Sequence, residues 1–140
     1  MTPLPPYWRC PTRAAIDAVV ARFGLPYDPL HQDWDTDGVD SAKLPSMLAA
    51  LEGGELTDDE QFLLGSKVMA TFDEMAVEGK AVGDTDEWRR FVSILRRRPA
   101  LHGWTLECTS TFYEPEDATW GVTPLVRPLW AELEPAARAG

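Results

Sequence analysis

The chain is predicted to fold as a single compact, mainly α-helical domain of about four to five helices. Two observations lead there. Apolar residues recur at the three-and-four spacing of a helix face through successive stretches, and most stretches open on a capping residue and close on glycine or proline. At 140 residues and 44% hydrophobic content, the chain also has the size of one domain with a real core. That domain is expected to span residues 1–140, with residues 1–6 and 135–140, which lack periodicity, as flexible tails. An α+β arrangement with a small β-hairpin near residues 103–121 is the alternative.

Thr12 caps the first expected helix, in which Ile16, Val19, Val20 and Phe23 share a face and Gly24 supplies the stop. From Leu25 to Asp40, prolines, Gly38 and aspartates replace the periodicity and predict an exposed loop. Asp40 or Ser41 caps a short second helix that tolerates Pro45 in its first turn, faces Leu44, Met47, Leu48 and Leu51 inward, and ends at Gly53-Gly54.

Thr57-Asp58-Asp59-Glu60 is a capping box, and its acids complement the positive end of the helix dipole. The helix it opens is expected to reach Gly79. Phe62, Leu64, Gly65, Val68, Met69, Phe72, Met75 and Ala76 make a stripe broad enough to need at least two partners, with Lys67, Thr71, Glu74 and Glu78 outside and Ser66 at the surface.

Asp84 or Thr85 caps a further helix with Trp88, Phe91, Val92 and Leu95 inward, ended by Pro99. Beyond it, His102 is expected in a turn. Trp104, Leu106 and Cys108 alternate with Thr105, Glu107 and Thr109 and predict an extended segment. Thr123-Pro124 starts a last helix carrying Leu125, Leu129, Trp130 and Leu133, which Pro128 should kink or delay.

Charge is the most uneven property of the chain. Of its formal net charge of −10, most is concentrated between Asp28 and Glu60, where ten acidic residues face one base, Lys43. An acidic surface of this kind repels nucleic acid and anionic membrane, and attracts basic protein partners. No stretch approaches the length of a membrane span, and the first residues do not read as a signal peptide, so a cytoplasmic protein is expected. Cys10 and Cys108 lie far apart and are expected as reduced thiols.

The leading functional expectation is a non-enzymatic binding protein, of the immunity or antitoxin-like inhibitor type in its physical profile. Asp33, Asp35, Asp37 and Asp40 would steer a basic partner and Trp34 would anchor it. Asp33, Asp35 and Asp37 also copy the first half of a calcium loop. The twelfth position is Leu44 instead of the bidentate glutamate, so an acidic turn is the preferred reading and no cofactor is expected. Arg89, Arg90, Arg96 and Arg97 form a basic arc. They either pair internally with the acidic segment or bind an anionic ligand or a second copy in a homodimer. The alternative function is a small enzyme or anion-binding domain, with a pocket between the central helix and His102, Glu107 and the arginines. A third is a structural homo-oligomer.

Overall fold

A computed structural model of the protein describes residues 3–25, 40–111 and 121–140. Six helices account for most of them: α1 (Arg13–Phe23), α2 (Leu44–Gly53), α3 (Asp58–Val77), α4 (Asp86–Arg97), α5 (Pro99–Thr111) and α6 (Thr123–Ala139). No strand occurs among the described residues. The molecule is mainly α-helical, as its periodicity requires.

Local chemistry sets the helix ends. The Thr12 hydroxyl accepts from the Ala15 amide, and Gly24 closes α1 in the left-handed region at φ 61°, which glycine adopts without a Cβ clash. Lys43, the single base of the acidic segment, donates to the Phe23 carbonyl at 2.6 Å and so places its charge on the negative end of α1. The box at α3 forms in both directions: Thr57 N donates to Glu60 Oε1 at 2.8 Å, and Glu60 N donates to the Thr57 hydroxyl at 3.2 Å. Thr85 caps α4 through the Trp88 amide.

α3 is the hub. It packs against α1, α2 and α5, while α5 and α6 form the most extensive helix pair. Around it lie Met47, Leu48 and Leu51 of α2, Trp88, Phe91 and Leu95 of α4, and Val126, Leu129 and Trp130 of α6. Phe72 meets Trp88 edge-on at 5.1 Å and stacks on Phe91 at 5.6 Å, contacts that fix how α4 lies on α3.

The structure departs from expectation in several places. Residues Pro99–Thr111 form a helix, not the extended segment or the first half of a hairpin; the remainder of that proposed hairpin, residues 112–120, lies outside the described residues. Proline ends one helix but also suits the first turn of the next, and Leu101, Thr105, Leu106 and Thr109 follow helical spacing. The hydroxyls that suggested a strand bond back along the helix instead, Thr109 to the Thr105 carbonyl at 2.8 Å and Ser110 to the Glu107 carbonyl at 3.0 Å. His102 is accordingly not a turn residue but sits inside α5, with 1% of its surface exposed.

The polar side of α3 is also covered. Ser66, Lys67 and Thr71, assigned to the outside, are buried, because α3 is enclosed on all sides from Phe62 to Phe72. The two hydroxyls are satisfied: Ser66 Oγ lies 2.8 Å from Thr105 Oγ1 of α5, and Thr71 donates to the Lys67 carbonyl at 2.8 Å.

Two more differences concern α6. It begins at Thr123 and continues through both Pro128 and Pro135, with Pro128 facing solvent. Residues 135–139, expected as part of a flexible tail, form its last turn, and Ala137 is fully buried. At the other end, Tyr7 is buried, which ties residues next to the expected N-terminal tail to the body.

Candidate functional site

α2, α3, α4 and α5 converge on one cleft of about 260 Å³. α2 brings Leu51 and Glu52, with Gly54 just beyond its end; α3 brings Gln61; α4 brings Ile94 and Arg97; Arg98 and then His102 of α5 complete it. Leu51 and Ile94 are buried and give the cleft apolar walls, while Glu52, Arg97 and Arg98 are exposed and form its rim.

His102 owes its place to Gly65. A Cβ on Gly65 would lie 2.8 Å from His102 Nδ1 and 2.9 Å from Cε1, so only glycine lets the imidazole approach α3 this closely. Nδ1 has no hydrogen-bond partner. Burial, reinforced by the charges of Arg98 and Arg9, lowers the His102 pKa to about 4, and the ring is neutral at pH 7. With Nδ1 pressed against Gly65 and no acceptor there, the ring proton belongs on Nε2, since an orphaned lone pair costs less than an orphaned N–H.

The rim charges are mostly committed. Arg98 grips Asp58 through two bonds of 2.7 and 3.1 Å, and Arg90 grips Glu52 through bonds of 2.6 and 3.3 Å. Both carboxyls are held below their ordinary pKa values by these hydrogen bonds. Arg97 differs: among the described residues it makes no hydrogen bond or ion pair, unlike every other lysine and arginine of the chain.

The predicted basic arc is therefore divided by the fold. Arg89 pairs with Asp86, Arg90 with Glu52, and Arg96 with Glu132 at 2.9 Å through both of its bonds, leaving Arg97 as the uncommitted member. The acidic segment meets the same fate at its far end. Glu52, Glu55, Asp58 and Asp59 face Arg90, Arg22, Arg98 and Arg9, respectively, and Glu60 serves the capping box.

Of the expected partner-binding residues, Asp33, Trp34, Asp35 and Asp37 lie outside the described residues, as do the calcium-loop positions they share and His31. Asp40 is exposed and accepts from the Ala42 amide at 3.0 Å. With Ser41, Thr71, Met75, Glu74 and Glu78 it borders a second, polar depression of about 160 Å³. Glu107, named for the pocket, is not at the cleft; it accepts a 2.6 Å hydrogen bond from Tyr7. Leu51, Gln61 and Ile94 are cleft residues that the sequence does not mark, whereas Arg98 belongs to the arginine run from Arg89 to Arg98 expected to pair internally or bind an anion. The one available signal was Gly65, a glycine inside a strong helix, which marks a close approach.

Among the described residues no group of three or more histidine, cysteine or carboxylate side chains is arranged to hold a metal, and no helix is long and apolar enough to cross a membrane. Cys10 is exposed and Cys108 half-buried, and neither forms a disulfide. No protein-family model matches the chain, and comparison with curated proteins and with solved structures likewise returned no significant match.

Proposed function

We propose that this protein is a small binding domain for an anionic ligand, held in the cleft between α2, α4 and α5. The observation that carries this reading is the uncommitted guanidinium of Arg97 at the mouth of a cleft whose floor includes a neutral, buried histidine. A guanidinium that feels the charge of Glu52 but spends none of its donors on an internal partner gives a place where an anion gains a charge-assisted bond. Titrating the protein with acetate and with inorganic phosphate at low ionic strength tests it. Saturable binding of either anion that is lost in Arg97→Gln and retained in Arg89→Gln supports the reading; no saturable binding of either ends it.

A second reading, a surface that engages a basic protein partner in the manner of an inhibitor, is favoured by the depression bordered by Asp40, Glu74 and Glu78. On this reading Asp33, Asp35 and Asp37 supply steering charge and Trp34 the anchor. A Lys-rich peptide should then associate more slowly with an Asp40→Lys, Glu74→Lys variant, and the salt dependence of association should flatten. Association unchanged by that reversal removes the second reading.

A further inference from the structure

Resting on the anion-binding reading, we infer that the ligand of the cleft is a small amphipathic monocarboxylate, with its single charge at Arg97 and an apolar body between Leu51 and Ile94. Four features of the cleft select that class. First, the cleft offers one guanidinium, Arg97, whose donors are not spent on a hydrogen bond or ion pair, although Glu52 lies within reach of its charge. Arg98, the other guanidinium at the rim, already has both its donor bonds on Asp58. A dianion such as phosphate would leave its second charge facing Glu52, which also borders the cleft.

Second, the walls are apolar. Leu51 and Ile94 are each 4% exposed, and what surface they show to the cleft rewards burial of hydrocarbon and not of further oxygens. Third, the cleft is small: about 260 Å³ falls just under the range of about 300–1,000 Å³ that takes drug-sized molecules, and suits a compact ligand. Fourth, His102 lines the cleft as a buried imidazole that is neutral at pH 7, so it adds no second positive charge for a dianion.

The test is a titration followed by amide chemical shifts, with benzoate, benzamide and inorganic phosphate as probes, on the full chain and on Arg97→Gln. Arg97 is exposed and unpartnered, so its removal leaves the fold intact, which a thermal melt verifies. Benzoate should shift the amides of Leu51, Ile94, Arg97 and His102 saturably, and bind the variant roughly tenfold more weakly, as expected for the loss of one charge-assisted pair.

Benzamide should bind the full chain and the variant alike, and more weakly than benzoate binds the full chain. If phosphate binds through Arg97 while benzoate does not, anion binding survives and the carboxylate assignment falls. If benzamide equals benzoate, the charge has no part in recognition and the inference falls. If no probe moves these amides, the inference and the reading beneath it fail together.

Discussion

Gly65 of α3 and His102 of α5 are in such close approach that a methyl group on the glycine would sit 2.8 Å from the imidazole Nδ1. This contact sets how near α5 comes to the hub helix, and it makes the glycine a packing residue. Alanine is preferred over glycine in a helix by up to about 1 kcal/mol, but overpacking a filled interior costs about 1–3 kcal/mol. Gly65→Ala should therefore lower stability by about 1 kcal/mol in urea denaturation. In a His102→Ala background the obstruction is gone, and the same substitution should stabilise. A gain in both backgrounds would show that the contact is not tight.

The second expectation concerns acid. His102 is neutral in the folded protein down to a pKa of about 4, against 6.5 for an ordinary histidine. Above pH 6.5 the ring is neutral in both states and has no effect on the pH dependence. As pH falls below 6.5 the unfolded chain takes up a proton that the folded chain refuses, so stability declines until about pH 4, by a total on the order of 3 kcal/mol. Glu52 and Asp58, whose folded pKa values are depressed from 4.5 and 3.8, lose their contribution only in more acid solution. Urea midpoints measured between pH 7 and pH 4.5 should fall steeply for the native chain and distinctly less for His102→Phe. Parallel curves would contradict the burial of a neutral ring.

Third, Gly103 is to Tyr7 what Gly65 is to His102. A Cβ on Gly103 would come within 2.7 Å of the Tyr7 ring, which stands edge-on to Trp130 at 5.2 Å and donates its hydroxyl to Glu107 at 2.6 Å. Burial and that bond to Glu107 push the phenol pKa upward, so Tyr7 remains a donor across the working pH range. Gly103→Ala should release the N-terminal segment, seen as faster tryptic cleavage after Arg9. Tyr7→Phe keeps the ring seated and should retain protection while costing about 1–2 kcal/mol for the lost bond to a charged acceptor. Equal protease sensitivity of Gly103→Ala and the native chain would refute the tether.

A fourth expectation follows from Pro128. It faces solvent inside α6, where its ring removes a backbone hydrogen bond without adding a core contact. Pro128→Ala should raise stability by about 1–3 kcal/mol and shift the thermal midpoint upward. A lower midpoint would mean that the proline supports the course of α6 in a way its exposure does not reveal.

What could be read from residues alone was the part governed by neighbours along the chain. Thr12 with Gly24, and Thr57 with Glu60, announce helix ends because cap and partner lie within one turn of each other. The inward faces of α2 and α4 follow from spacing for the same reason. α5 was hidden because its face toward α3 carries His102, Thr105 and Thr109, so polarity no longer separates inside from outside. The close approach of Gly65 and the burial of Ser66 are the other half of that interface, and neither half predicts itself without the other.

The cleft was only half legible. An arginine and histidine pocket against the central helix was among the expectations, and His102 and Arg97 are in it, but Glu52, Gln61 and Ile94 join them only through helix packing. Which arginine stays available depends on distant carboxylates: Glu52 selects Arg90, Glu132 selects Arg96 and Asp58 selects Arg98. Spacing within α4 cannot reveal that choice.

The pairing of most cations with internal counter-ions, on a chain rich in acids, also governs how copies of the molecule treat each other. With a net charge of −10 at neutral pH, two approaching molecules repel each other and stay dispersed. Toward the isoelectric point near pH 4.5 this mutual repulsion vanishes while the folded state is also weakening through His102. Colloidal and conformational robustness thus fail over the same interval, and mild acidification should flocculate the protein instead of leaving a clear unfolded solution.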